Sequence, residues 1–293
     1  MHTVARTEPV TASDGVGLEA GVVGDLAVGG RPVVLLHGLS QQRGFWDPVI
    51  RRLRHRPVIA VDQRGHGASD ARADADFSIP RVAHDVIDVL DALAVERAHV
   101  TGHSWGAAVA IAVAAEYPDR IASVGLIDGG LWARDPHADR AAELERLRPP
   151  TLGIPADDLW TRIASGPLGS AWSAEVREAL EPTFVMDGDG CLRTRIGIDR
   201  HMAVLSAMLE YDPWGDAARI ACPAWHVRCL GPGTSASTSA DPWLDLARQR
   251  TAATGILMQE WEGAIHDVPL QWPALVAGFI DALCESADRE ETG

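Results

Sequence analysis

Short apolar runs alternate along the chain with longer stretches in which apolar side chains recur every three or four residues. The runs are typical of buried strands, and the second pattern, clear over residues 82–94, is typical of amphipathic helices. Strands that alternate with helices predict an α/β fold with a doubly wound, mostly parallel sheet. We predict an opening hairpin over 7–11 and 18–24, strands near 33–36, 57–61, 98–103, 122–127, 223–230 and 255–261, and a last helix over 273–284.

The strand pattern disappears between Trp132 and Trp214, where helical segments, prolines and several tryptophans occur. The polar end of the chain, residues 285–293, is predicted to fray. We therefore divide the chain into a first core part over 1–131, a helical insertion over 132–215 after the sixth strand, and a second core part over 216–293.

Composition narrows the classes of partner. Apolar residues make up 46% of the chain, which is enough for a large buried core, and no apolar run is long enough to cross a bilayer. The formal net charge of −15 argues against nucleic acid or an anionic membrane as a partner, because binding to phosphates needs a basic surface. All 26 basic residues are arginine, which excludes chemistry through a lysine Schiff base.

The cysteine pattern argues against a zinc site, because the four cysteines form no CxxC pair and no cluster with histidine. The sequence implies no other metal and no cofactor. Free thiols are typical of a reducing compartment. The first residues also lack the apolar segment of a secretory signal. We expect a cytoplasmic protein that acts on a small molecule as a monomer or a homodimer.

Residues 98–117 contain the pattern with the clearest chemistry. An apolar strand leads into a Gly-x-Ser-x-Gly turn at Gly102–Gly106 and then into an alanine-rich helix. In this strand–turn–helix context Ser104 is a candidate nucleophile. The small residues allow the helix to pack close to the strand, and the strained turn exposes the Ser104 hydroxyl at the carboxyl end of the sheet.

Three further segments complete a resemblance to the α/β-hydrolase superfamily. Residues 33–40 resemble its strand and oxyanion loop, residues 58–70 its next strand and turn, and residues 263–269 the late loop that carries a catalytic histidine. The segments follow the family's order and cover nearly the whole chain. The resemblance implies an α/β-hydrolase core with a helical cap inserted after the sixth strand.

A serine nucleophile needs an adjacent base, and His266, between the last strand and the last helix, has the family's position for it. The acid departs from the common pattern. Most members carry an aspartate after the seventh strand, but here the loop over 231–240 contains no carboxylate before Asp241. Asp128, at the end of the sixth strand, is the favoured acid, while Asp241 and a triad without an acid remain open.

Some members of the superfamily place the acid at the end of the sixth strand. The layout resembles that of fungal zearalenone lactonases, in which the acid follows the nucleophile at a spacing similar to that of Ser104 and Asp128. This resemblance favours a lactone or an ester as substrate. Because position 104 is serine, the sequence excludes the dehalogenases and epoxide hydrolases of this fold, which need an aspartate nucleophile.

The oxyanion hole and the cap follow from the same resemblance. The backbone N–H groups of Leu39 and Trp105 are the expected oxyanion donors. The cap would roof the site and set substrate choice. The expected substrate contacts are four tryptophans and one histidine: Trp132, Trp160, Trp172, Trp214 and His201.

The expected function is hydrolysis of a carboxylic ester or lactone of moderate size, apolar or aromatic, through an acyl-enzyme. Three alternatives remain open from the sequence: hydrolysis of a C–C bond, acyl transfer with the same triad, and a non-catalytic protein of this fold that binds a small molecule. Turnover of a chromogenic ester separates the enzymes from the binding protein.

Overall fold

An eight-stranded sheet lies at the centre of the computed structural model, which describes residues 6–28, 30–54, 56–70, 72, 74–132, 137, 139–149, 153–234 and 242–292. The strands are β1 (Arg6–Thr11), β2 (Gly17–Val23), β3 (Val33–Leu36), β4 (Val58–Asp62), β5 (Ala98–His103), β6 (Ile121–Ile127), β7 (Ile154–Pro155), β8 (Phe184–Met186), β9 (Cys191–Thr194), β10 (Ala224–Cys229) and β11 (Leu257–Trp261). The central sheet has the order β1-β2-β4-β3-β5-β6-β10-β11. The pairs β1–β2 and β2–β4 are antiparallel, and the other pairs of this sheet are parallel. The predicted fold class is therefore confirmed.

Helices cover both faces of the sheet. They are α1 (Asp47–Ile50), α2 (Ile79–Ala92), α3 (Trp105–Glu116), α4 (Arg140–Arg146), α5 (Ala156–Ser165), α6 (Ala174–Leu180), α7 (Ile198–Glu210), α8 (Pro213–Ala217), α9 (Pro242–Thr254), α10 (Val268–Gln271) and α11 (Pro273–Thr292). No helix within the described ranges is long and apolar enough to span a membrane.

The core consists of two apolar layers, one on each face of the sheet. Val34 and Leu36 of β3 pack in the layer of α2 and α3, whereas Val33 and Leu35 pack in the layer of α1 and α11. Successive side chains of a strand point to opposite faces, so a strand covered on both sides needs apolar residues at every position. This arrangement explains why β3 reads as a continuous apolar run.

The segment between β6 and β10 differs from the all-helical insertion that the sequence predicts. Besides α4 to α8 it contains a three-stranded antiparallel sheet in the order β7-β9-β8. These strands have between two and four residues, too few to show an alternating pattern. The Gly-rich turn over residues 187–190, in which Gly190 has φ 76°, was the available signal for the β8–β9 hairpin.

The polar end of the chain does not fray as predicted, because α11 continues to Thr292. Asp288 accepts hydrogen bonds from Arg31 at 3.2 Å and from Arg56 at 2.6 Å. Glu291 forms ion pairs with Arg31 and Arg97. These arginines come from distant parts of the sequence. The last turns of α11 are therefore stabilised by tertiary contacts, which the local sequence does not show.

The turn after β4 is held by a buried arginine. The Arg64 side chain is fully buried, and its Nε and Nη2 each donate to Asp85 of α2 at 2.6 Å. Its Nη1 donates to Asp14 and to the backbone carbonyl of Asp76, both at 2.9 Å. A buried charge is tolerated only when it is paired and hydrogen-bonded, and this set satisfies Arg64.

We predict that Asp85→Asn lowers the free energy of unfolding by about 3 kcal/mol, because it leaves the buried Arg64 without its main counter-charge. Urea denaturation followed by circular dichroism measures the change. Glu145→Gln is the control, since Glu145 pairs with Arg148 on the surface and should leave the midpoint unchanged. Equal midpoints for the two variants would contradict the prediction.

Candidate active site

Ser104 lies on a sharp turn between β5 and α3, with φ 54° and ψ −118°. The turn is possible because Gly102 and Gly106 have no side chains. A Cβ atom on Gly102 would overlap the carbonyl oxygen of Gly106, and one on Gly106 would overlap that of Leu36. The strand and the helix therefore approach at backbone distance, and the strain is stored at Ser104.

The structure brings Ser104, His266 and Asp128 into one chain of hydrogen bonds. The Ser104 hydroxyl lies 3.0 Å from His266 Nε2, and His266 Nδ1 lies 2.7 Å from Asp128 Oδ2. Because an ionised carboxylate only accepts, Nδ1 carries the proton and Nε2 is left to accept from the serine. The His266 side chain is 57% exposed and that of Asp128 only 17%, so the base faces the open side of the site.

Asp128 is fixed between two neighbouring strands. Its backbone N–H donates to the carbonyl of Val227 in β10 at 2.7 Å, and its Oδ1 accepts from the N–H of Cys229 at 2.7 Å. Its φ of 45° turns the chain at the end of β6. The alternative acid, Asp241, lies outside the described residues.

Sequence reasoning missed two parts of this arrangement: the Cys229 N–H and the contact of Gly129 with Ser104. A Cβ atom on Gly129 would lie 2.5 Å from Ser104 Cα, so this position also needs glycine. The Gly129-Gly130 pair after Asp128 was the available signal.

The contact between Asp128 and His266 lowers the pKa of the carboxyl group and raises that of the imidazole. Burial alone would raise the pKa of Asp128, but the hydrogen bond and charge of His266 outweigh it and the net pKa is lowered. Partial desolvation alone would lower the pKa of His266, but the hydrogen bond and charge of Asp128, with a smaller contribution from Asp267, raise it net. Asp128 is therefore an ionised partner that favours the protonated imidazole.

Backbone donors are available beside Ser104. The loop after β3 lies against the elbow, since a Cβ atom on Gly38 would lie 3.1 Å from Ser104 Cβ. In the described part of the chain, no hydrogen bond occupies the N–H of Leu39 or that of Trp105. The Ser40 N–H, in contrast, donates to His66 Nε2 at 3.2 Å. Neither predicted oxyanion donor is therefore engaged in a described hydrogen bond, and its role stays a prediction.

The predicted substrate contacts fall into two groups. Trp160 and Trp172 pack against each other with ring centroids 6.1 Å apart, and Trp160 also meets Phe184, in the apolar layer that the insertion shares with α1 and α11. Trp132 and Trp214 are half-buried and joined by a hydrogen bond of 3.0 Å from the Trp214 indole to the Trp132 carbonyl.

His201 shares a hydrogen bond of 2.6 Å with the Ser40 hydroxyl. It thereby connects α7 to the loop after β3. Its role in substrate binding, like that of the tryptophans, stays a prediction.

Comparisons with known proteins identify the family of the chain. Residues 31–164 match the sequence model of the alpha/beta hydrolase fold family. The chain is 34% identical over 197 residues to a putative carbamate hydrolase RutD of Variovorax paradoxus, an alignment that covers 61% of this chain and 71% of the relative. It belongs to the α/β-hydrolase fold family. A second putative RutD, from a Caulobacter species, is 30% identical over 217 residues, covering 71% of this chain and 75% of that one.

A solved structure shows the same fold at lower sequence identity. The crystal structure of E-2-(acetamidomethylene)succinate hydrolase superposes with a TM-score of 0.74 at 23% identity, covering 96% of this α/β hydrolase and 99% of the other chain. This likeness concerns the fold alone.

Among the residues that the structure describes, no three His, Cys, Asp or Glu side chains gather as metal ligands.

We predict that Asp128→Asn lowers the pKa of His266, because the charge and the hydrogen-bond acceptor that favour the imidazolium are lost. NMR titration of the imidazole protons measures the change. Asp267→Asn is the matched control and should cause a smaller drop, since Asp267 acts on His266 through charge alone. An unchanged His266 pKa in Asp128→Asn would contradict the prediction.

Proposed function

We propose that the protein hydrolyses carboxylic esters or lactones, with Ser104 as nucleophile, His266 as general base and Asp128 as the acid that orients it. The observation that carries the proposal is the continuous hydrogen-bonded chain from the Ser104 hydroxyl through His266 to Asp128, at 3.0 and 2.7 Å. Nucleophile, base and orienting group at these distances are the signature of nucleophilic acyl transfer.

In the first half of the reaction, Ser104 Oγ attacks the carbonyl carbon while its proton passes to His266 Nε2. The imidazolium that forms is stabilised by ionised Asp128. The carbonyl oxygen becomes an oxyanion and accepts from the N–H groups of Leu39 and Trp105. The N-terminus of α3 behind Ser104 favours this negative charge. His266 then returns the proton to the leaving alkoxide, which departs as an alcohol.

In the second half, water takes the place of the alcohol. His266 removes a proton from water as the oxygen attacks the acyl-enzyme, and the same two N–H groups hold the new oxyanion. Ser104 leaves with the proton from His266, and the carboxylic acid is released. For a lactone, the alcohol and the acid are parts of one molecule, so the ring opens and a single hydroxy acid results.

The segment over 132–215 acts as the cap in this proposal. Trp132 follows Asp128 closely in the chain, and the Trp214 indole donates a hydrogen bond to the Trp132 carbonyl. In the proposal these two tryptophans form an apolar wall of the site. Trp160 and Trp172 stabilise the cap from within. The placement of the acid at the end of β6, which resembles zearalenone-type lactonases, favours a lactone or aryl ester of moderate size.

A carbamate is the second candidate substrate, because two relatives that are 34% and 30% identical to this chain are named putative carbamate hydrolases. A carbamate carbonyl is attacked by the same serine and stabilised by the same oxyanion donors. Initial rates with a 4-nitrophenyl ester, an aryl lactone and the matching aryl carbamate distinguish these substrates. The ester proposal expects the carbamate to be the slowest, and a carbamate preference would replace it.

We predict that Ser104→Ala abolishes turnover of the best of these substrates and that Asp128→Asn lowers kcat by about 10³- to 10⁴-fold, because the imidazole loses its orienting acceptor. Asp267→Asn, the neighbouring carboxylate, should retain kcat within about tenfold since it contacts neither Ser104 nor the reacting atoms. Wild-type rates in Ser104→Ala would refute the mechanism. Wild-type rates in Asp128→Asn would leave Asp241 or a triad without an acid, and Asp241→Asn would then distinguish these two.

A further inference from the structure

His103, the last residue of β5, has a side chain that the proposed mechanism does not use. Its ring is buried and stacks on Phe45 with centroids 5.0 Å apart and an interplanar angle of 24°. The centroid of the ring also lies 4.8 Å from that of the His266 imidazole. His103 is therefore packed against His266, and the hydroxyl of Ser104, its neighbour in the chain, contacts the same imidazole.

The contact has a defined chemistry. His103 Nε2 lies 2.8 Å from the backbone carbonyl oxygen of His266. A carbonyl only accepts, so Nε2 carries the proton and Nδ1 holds the lone pair. Nδ1 is buried, has no partner among the described residues, and lies 3.0 Å from where a Cβ atom of Gly38 would stand. One ring thus contacts both the oxyanion loop and the loop of the base.

The loop that carries His266 needs such an anchor. It contains Gly263 at φ 77° and connects β11 to α10. The Gln271 side chain holds the start of the loop, by bonds to Gly263 and Ile265 of 3.0 and 2.8 Å. Among the described residues, the bond from His103 is the one that holds the backbone of His266.

We infer that His103 is a positioning residue: its Nε2–H holds the carbonyl of His266 and keeps the His266 ring in line with Ser104 and Asp128. The inference rests on the function proposed above. Misplacing a catalytic group by about 1 Å costs on the order of a hundredfold in rate, so one such bond has a measurable effect.

The neutral state of His103 is part of this role. Burial, with a contribution from the charge of His266, lowers the pKa of His103 to about 3. The ring therefore stays uncharged when His266 becomes an imidazolium 4.8 Å away. A charged side chain at this position would repel the imidazolium.

Two substitutions at position 103 separate the donor from the ring. His103→Phe keeps an aromatic ring against Phe45 and removes the donor. His103→Gln places an amide N–H at a reach similar to that of Nε2 and removes the ring. We expect His103→Phe to lower kcat by about ten- to a hundredfold with little change in KM. We also expect it to lower the pKa of His266 in an NMR titration, because the bond to Asp128 loosens. In His103→Gln, kcat and the pKa of His266 should both stay close to their wild-type values.

Phe45→Leu is the control, and it should lower the thermal midpoint while leaving kcat and the His266 pKa near wild type. Equal losses in His103→Phe and His103→Gln, or wild-type values in both, would overturn the inference. If neither variant folds, the ¹⁵N spectrum of the wild type decides, since a protonated Nδ1 on His103 would overturn it. A wild type without esterase, lactonase or carbamate activity would instead refute the proposed function. The His266 pKa in the variants would still test whether His103 positions the His266 ring.

Discussion

The close backbone approach of β5 and α3 is the constraint on which the site depends. Gly102 and Gly106 meet where no side chain fits, and Ser104 between them takes φ 54°. This conformation costs on the order of 1 to 3 kcal/mol, which the surrounding packing must supply. In return it presents the hydroxyl at the carboxyl end of the sheet, next to the loop after β3 and the start of a helix. A Cβ atom at Gly102 would push α3 away from β5, and one at Gly106 would push α3 away from the end of β3.

The sheet order explains why a carboxylate at the end of β6 can reach the same histidine as one in the loop after β10, the seventh strand of the family's core. β6 lies between β5 and β10, so its carboxyl end is next to both the nucleophile and the usual position of the acid. Asp128 accepts from the N–H of Cys229 at the end of β10 and so reaches toward the strand from which the family's acid usually comes. A triad with Asp128 as its acid would therefore not need a carboxylate in the loop over 231–240.

Local signals allowed much of the fold and the centre of the site to be predicted. The elbow, the oxyanion loop and the histidine loop each have a short sequence pattern, and the favoured Asp128 is the carboxylate that contacts His266. The β7-β9-β8 sheet, the ordered end of α11 and the bond between His201 and Ser40 were missed. Each depends on partners far away in sequence, so no local pattern reports it. The same holds for His103, whose partner is a backbone carbonyl 163 residues later.

The central claim is that Ser104 is a nucleophile activated by His266. Intact-protein mass spectrometry after incubation with a fluorophosphonate, with peptide mapping of the product, tests it most directly. We expect the wild type to gain one adduct, located on the peptide that contains Ser104, and Ser104→Ala to gain none. A wild type that stays unlabelled, or a Ser104→Ala variant that labels as the wild type does, would contradict the account.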